Sequence, residues 1–182
     1  MSHLDPVDTN VWLILPTYNE AENIGPIVAA AVQRLSECAR QHTVLIVDDN
    51  SPDGTGDAAD VLAGNYPSVQ VLHRKGKEGL GRAYLAGFDV ALKGGAELVV
   101  EMDADFSHDP RDIQRLVRAA HSECDLAIGS RYVRGGGVRD WTLLRKLISR
   151  GGGIYARKIL GVEVQDLTGG FKCFRREVLE AI

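Results

Sequence analysis

A chain of 182 residues is long enough for one domain with a sizeable core, and 45% hydrophobic with 25% charged side chains is ordinary for a globular protein. No apolar run approaches the roughly 20 residues of a spanning helix, the polar first ten residues carry no signal-peptide pattern, and three widely spaced cysteines (Cys38, Cys124, Cys173) argue against a disulfide framework or zinc site and for a reducing cytosol. The net charge of −4 conceals an asymmetry, −10 over residues 1–130 against +7 over residues 131–158.

In chain order, a polar tail over residues 1–10 precedes Val11-Trp12-Leu13-Ile14-Leu15, a first strand expected to stop at Pro16. Asn19-Glu20-Ala21-Glu22 is expected to open a helix with acids in its first turn, where the macrodipole favours them. Ile24, Ile27, Val28, Ala31, Val32 and Leu35 then keep a helical period. A second strand, Val44-Leu45-Ile46-Val47, runs into Asp48-Asp49 and the turn cluster Asn50-Ser51-Pro52-Asp53-Gly54. A short helix to about residue 62 leads to strand Val69-Gln70-Val71-Leu72, a glycine-bearing loop over residues 76–81 and a helix over residues 83–92. Strand four, Leu98-Val99-Val100-Glu101-Met102, ends in Asp103-Ala104-Asp105, and Pro110 fits the first turn of the next helix. A fifth strand, Asp125-Leu126-Ala127-Ile128-Gly129, completes an alternation that predicts an open, mostly parallel α/β sheet flanked by helices, Rossmann-like in plan.

After Gly135-Gly136-Gly137 the pattern changes. Arg131, Arg134, Arg139, Arg145, Lys146, Arg150, Arg157 and Lys158 stand against Asp140 alone, which marks either a docking site for something anionic or a solvated helix face. Trp141, Leu144, Leu147, Ile148 and Tyr155 share a helical face that packs on the core or lies on a membrane surface. The chain ends at Glu177-Val178-Leu179-Glu180-Ala181-Ile182, inside an uncapped helix, so residues 11–182 are expected to be one domain truncated at its C-terminus.

Two apolar runs that each end in acid carry the chemistry. Such runs are how parallel strands look when both faces are covered and their carboxyl ends line a crevice. A lone acid at a strand end is commonly a turn or capping residue, but two such sites in one chain point to ligands. Asp103 and Asp105 alternate along an extended backbone, Ala104 lets a ligand come close, and oxygen donors suit a hard divalent ion that keeps positions for phosphate oxygens.

Pro16-Thr17-Tyr18-Asn19-Glu20, Asp48-Asp49-Asn50-Ser51-Pro52-Asp53-Gly54-Thr55 and Asp103-Ala104-Asp105, each after its strand, together resemble the family 2 glycosyltransferases of GT-A fold. Gly79-Leu80-Gly81-Arg82-Ala83-Tyr84, Met102-Asp103-Ala104-Asp105-Phe106-Ser107-His108, Gly129-Ser130-Arg131-Tyr132, Arg145-Lys146-Leu147-Ile148-Ser149-Arg150 and Asp166-Leu167-Thr168-Gly169-Gly170-Phe171 are similar, more narrowly, to dolichol-phosphate or polyprenol-phosphate mannosyltransferases. The likeness runs from about residue 11 to residue 182, and the motifs stand in the family's order.

That resemblance implies a nucleotide-diphospho-sugar transferase that moves mannose from GDP-mannose to dolichyl or polyprenyl phosphate, with inversion and with Mg2+ or Mn2+. It implies Asp103, Asp105 and Ser107 as metal ligands, and Pro16, Tyr18, Glu20, Val47, Asp49, Asp103, Ala104, Asp105 and Arg131 around the donor. Asp105 and Arg131 are the implied catalytic residues, while Arg131, Arg145 and Ser149 would hold the acceptor phosphate, guanidinium forks being suited to its oxygens. A phosphate acceptor is already anionic and needs no general base, so the basic stretch is explained without nucleic acid. The implied setting is peripheral, on the cytosolic face of a membrane, with room for a membrane-anchoring subunit. The runner-up readings are a glucosyl- or other-sugar transferase onto the same lipid phosphate and a non-catalytic subunit that keeps the fold. A phosphoacceptor receiver domain needs an acid pair after strand one and a lysine near the last strand, where this chain has Pro16-Thr17-Tyr18 and Arg131. Residues 79–84 lack the third glycine of a dinucleotide fingerprint.

Overall fold

The computed structural model describes residues 5–130 and 169–181. The described elements are β1 (Val7–Thr17), α1 (Ile24–Cys38), β2 (Ala39–Asp48), α2 (Thr55–Asn65), β3 (Val69–His73), α3 (Leu80–Lys93) and β4 (Leu98–Glu101). A 3-10 turn over Pro110–Asp112 leads into α4 (Ile113–Ser122), followed by β5 (Leu126–Ile128), β6 (Lys172–Arg175) and α5 (Arg176–Glu180). The described strands form one sheet in the order β3-β2-β1-β4-β6-β5. β1 pairs in parallel with β2 and β4, β2 pairs in parallel with β3, and β6 runs antiparallel to β4 and β5.

Both faces of the sheet are covered, which is why β1 and β2 read as continuous apolar runs. Val11, Leu13 and Leu15 of β1 join Val44 and Ile46 of β2 under α1, α2 and α4. Trp12 and Ile14 face the other way with Leu45 and Val47, against α3 residues Ala83, Tyr84, Phe88 and Ala91. On α1, the buried stripe Ile24, Ile27, Val28, Ala31, Leu35 and Cys38 keeps the 3.6-residue period.

Pro16 does not stop β1. Its partner is Val47 of β2, and the ladder with β4 has already ended at Ile14 and Glu101. Met102 donates to the Ile14 carbonyl and Asp49 to that of Thr17, so by alternation Pro16 faces the β4 side, where no ladder bond asks for its missing N–H. β1 and β2 also begin earlier than expected, at Val7 and Ala39, pairing through polar residues at the lower edge where no apolar run betrays a strand. α1 starts at Ile24, not near residue 19, and has no acid in its first turn. Asn19 takes a left-handed φ of 61°, which asparagine tolerates, and the Glu20 carbonyl accepts from Asn23 and Ile24. Those acids belong to a turn, not to the helix.

β6 was not foreseen from the sequence. It is four residues long with a charge at each end, and only Cys173 and Phe174 are buried. Its register is marked by Lys172 opposite Glu101, whose Nζ and Oε2 are 3.2 Å apart. Burial raises the Glu101 carboxyl above its usual range, with Lys172 offsetting part of that effect. Cys38 and Cys173 are core thiols and Cys124 is half-buried. Burial pushes Cys38 up to about 11.

Candidate active site at the carboxyl ends of the central strands

The strand order reverses about β1, and the loops that leave β1, β2 and β4 meet at the same edge, where open α/β sheets bind ligands. A cavity of about 320 Å3 lies there, lined by Pro16, Thr17, Tyr18 and Glu20 from the first loop, Asp49 from the second and Asp103, Ala104 and Asp105 from the third. Lys77 of the segment between β3 and α3, with Leu80 and Ala83 of the first turn of α3, closes it. A broader groove of about 490 Å3 sits at the opposite edge, near Asn10, Arg40 and Gln70, and no carboxylate lines it.

Each carboxylate of the cavity has its own support. Asp103 Oδ1 accepts from the Tyr84 hydroxyl at 3.0 Å, and its backbone N–H donates to His108 Nδ1 at 3.2 Å. Tyr84 is nearly buried; burial first, then the Asp103 carboxylate, raises its pKa, so its hydroxyl is a fixed donor. A Cβ at Gly170 would stand 3.0 Å from Asp103 Oδ2, so any larger residue there would press on that carboxylate. Next to it Phe171 stacks on His108 with ring centroids 5.1 Å apart. The Gly169-Gly170-Phe171 segment is thereby packed onto the acidic loop.

Phe106 turns that loop at a left-handed φ of 59°, and Asp105 Oδ1 accepts the Ser107 N–H at 2.9 Å. Burial raises the Asp105 carboxyl, but the Ser107 hydroxyl and N–H together with His108 outweigh it, and the net pKa lies below the usual value. Asp49 is almost wholly buried and bonded to Arg74 Nη1, while Arg74 Nη2 reaches Glu78 Oε2 at 2.8 Å. Lys77 Nζ lies 3.9 Å from the centroid of the Tyr18 ring, a cation–π contact at the mouth. Asp48, the other acid of the pair, is not in the cavity. It accepts from the Ser51 hydroxyl at 2.6 Å and organises the second loop.

The fold therefore brings together Pro16, Tyr18, Glu20, Asp49, Asp103, Ala104 and Asp105. Val47 does not line the cavity; it is fully buried against α3. Ser107 stands beside Asp105 but outside the lining. Arg131, Arg145 and Ser149, with the basic stretch and the Trp141 face, lie outside the described residues. Sequence reasoning missed Lys77 and Arg74, and gave no site role to Leu80, Ala83 and Tyr84, which it named only within the motif of residues 79–84. Arg74, Lys75 and Lys77 cluster in an otherwise acidic body, and that local charge reversal was the available signal.

Among the described residues, four carboxylates (Glu20, Asp49, Asp103, Asp105) and one cationic side chain, Lys77, line the cavity, a set that fits a divalent cation and a cation-bound phosphate. Among the described residues no three His, Cys, Asp or Glu side chains converge into a metal cage.

A mostly parallel sheet that carries an Asp-Ala-Asp loop at the end of β4, beside a cleft under β1 and β2, defines the GT-A fold of nucleotide-sugar transferases. The chain belongs to glycosyl transferase family 2, whose sequence profile matches residues 12–182. It is 51% identical over 171 residues to the polyprenol monophosphomannose synthase of Mycolicibacterium smegmatis, an alignment covering 93% of this chain and 63% of that protein. It is 48% identical over 172 residues to the undecaprenyl-phosphate mannosyltransferase of Micrococcus luteus, covering 94% of this chain and 69% of that one. A mannosyltransferase from Pyrobaculum calidifontis, solved in complex with GDP-Man and Mn2+, superposes with a TM-score of 0.64 at 23% identity, over 96% of this chain and 47% of that one. The chain thus spans less than two thirds of the length of the first of these relatives.

Proposed function

We propose that this chain is the donor-binding domain of an inverting mannosyltransferase that uses GDP-mannose and a divalent cation to glycosylate a polyprenyl phosphate. The observation that carries the reading is the convergence of Tyr18, Glu20, Asp49, Asp103 and Asp105 on one cavity. The names of relatives at 51% and 48% identity support mannose and a polyprenyl-phosphate acceptor.

In this reading Pro16, Tyr18 and Glu20 wall the nucleoside, Val47 backs that wall from the core, and Asp49 accepts from the base or ribose. Asp103 and Asp105 hold Mn2+ or Mg2+, with Ser107 as a further oxygen nearby. Bound there, the cation neutralises charge that develops on the departing nucleoside diphosphate. Because Asp105 stays ionised well below neutral pH, its carboxylate is available throughout the physiological range. The acceptor phosphate supplies its own charged oxygen, so no side chain has to remove a proton. Arg131, Arg145 and Ser149 are assigned to the acceptor phosphate, with Arg131 also assigned to the donor, and one displacement, with the nucleoside diphosphate leaving, yields a β-linked product from an α-linked donor.

No helix among the described residues is long and apolar enough to cross a membrane. Attachment to the anionic surface at the cytosolic face would come from the basic residues 131–158, each contributing roughly 1 kcal/mol near such a surface. An anchoring subunit is compatible with that arrangement.

Isothermal titration with GDP-mannose and UDP-glucose, with and without Mn2+, tests the reading. GDP-mannose is expected to bind more tightly, and excess chelator or Asp105→Asn is expected to remove most of that affinity. Equal binding of both donors, or donor binding indifferent to chelator and to Asp105→Asn, would refute it.

A further inference from the structure

Three consecutive backbone N–H groups of the first loop are each taken by a different side chain of the second. Asn19 N–H donates to Ser51 Oγ at 3.1 Å, Glu20 N–H to Thr55 Oγ1 at 2.9 Å, and Ala21 N–H to Asp53 Oδ2 at 3.1 Å. The second loop is itself cross-braced. Thr55 Oγ1 donates to Asp53 Oδ1 at 2.6 Å, and Ser51 Oγ donates to Asp48 Oδ1 at 2.6 Å. Thr55, like Ser51, both accepts from the first loop and donates to a carboxylate beneath it, and of the two it is the one fully buried. Gly54, at a φ of 90°, makes the left-handed turn that brings Thr55 under Glu20.

These amides belong to the loop that carries Tyr18 and Glu20 into the cavity. Asn19 holds a positive φ and the loop is neither strand nor helix, so beyond the turn bonds that the Glu20 carbonyl accepts from Asn23 and Ile24 its own backbone offers no ladder. Its Asn19, Glu20 and Ala21 N–H groups are held by the hydroxyl–carboxylate frame beneath. We propose that Thr55, with Ser51 and Asp53, is a positioning residue for donor binding: it sets where Tyr18 and Glu20 stand and so tunes affinity for the nucleoside portion of the ligand, without touching the ligand itself. The inference rests on the assignment of Tyr18 and Glu20 to the nucleoside wall.

The frame makes a prediction that separates nucleoside from diphosphate. Thr55→Val is close in shape but leaves the Glu20 N–H without its acceptor and takes the hydroxyl donor from Asp53 Oδ1, which keeps only the Thr55 N–H. Thr55→Ser keeps both bonds. GDP binding in the presence of Mn2+, followed by calorimetry, should weaken about tenfold in Thr55→Val. Inorganic diphosphate with Mn2+, which meets only the carboxylate end of the cavity, should bind the variant and the parent chain alike. Thr55→Ser should return GDP affinity to near the parent value.

Unchanged GDP binding by Thr55→Val, equal losses for GDP and diphosphate, or no recovery in Thr55→Ser would each overturn the proposal. Should Thr55→Val fail to fold, Ser51→Ala and Ser51→Thr carry the same contrast at a less buried member of the frame. A parent chain that binds neither GDP nor UDP would instead bring down the nucleotide-sugar reading itself, and this inference with it.

Discussion

Gly87→Ala probes how closely α3 must approach the sheet for the acidic site to assemble. A Cβ at this position would lie 2.4 Å from Ile14 Cγ2 and 3.3 Å from Val47 Cγ2, against 3.4 Å for the nearest ordinary contact. Ile14 and Val47 are fully buried in central strands, and a β-branched side chain has little rotamer freedom with which to yield. α3 would therefore have to lift by the difference between 3.4 and 2.4 Å, about 1 Å. Overpacking of this kind costs about 1–3 kcal/mol, while alanine regains about 1 kcal/mol over glycine in a helix interior. The net expectation is a loss of about 0–2 kcal/mol, or up to about 8 °C in Tm at this chain length. Tyr84 is one turn earlier on the same helix, and its 3.0 Å bond to Asp103 would stretch beyond hydrogen-bonding range. Calorimetry measures the first effect and Mn2+-dependent GDP binding the second. Gly64→Ala in α2, where nothing lies within 4 Å of the added carbon, is the control and should be neutral or slightly stabilising. A Gly87→Ala chain as stable as its parent, with unaltered binding, would refute the close-packing argument.

Tyr84→Phe removes one oxygen from the support of Asp103 and should weaken Mn2+ binding in the presence of GDP by about 10–100-fold, as loss of an outer partner commonly does; manganese electron paramagnetic resonance reads this directly, and an unchanged affinity would show that Asp103 needs no such support. His42 is held neutral chiefly by burial, with its pKa depressed below 6.5. Below pH 6.5 the unfolded chain takes up a proton that the folded chain resists, so stability is lost as pH falls through that window toward the lower folded value. Tm measured from pH 7.5 to 5 should therefore fall less steeply in His42→Gln than in the parent chain, and parallel curves would contradict the assignment.

The alternation of strands and helices was legible because both faces of β1 and β2 are covered, so that burial writes itself as unbroken apolar runs. The acids were legible for a related reason. A charged residue directly after such a run has to sit at a strand end, and only there can Asp49, Asp103 and Asp105 reach a crevice. Pro16 misled because a missing N–H matters only on the side where a neighbour pairs, and β4 has already ended there. Asn19-Glu20-Ala21-Glu22 misled because acids before an amphipathic period read equally well as a helix start and as a turn. The antiparallel β6, four residues with charged ends, carries no pattern of its own.

Chain pattern alone thus determined the layered α/β architecture and the strand ends that bear acid, and the motifs at those ends carried the resemblance to the family. Pairwise matters fell to the tertiary structure: the hydroxyl of Tyr84 on Asp103, Arg74 on Asp49, Lys77 over Tyr18, and Ser51, Asp53 and Thr55 beneath the amides of residues 19–21. The physical reason is that burial and backbone period are properties of one segment, written into its own residues. A hydrogen bond between two loops depends on where the sheet order sets their strands side by side, and neither loop's sequence contains that distance.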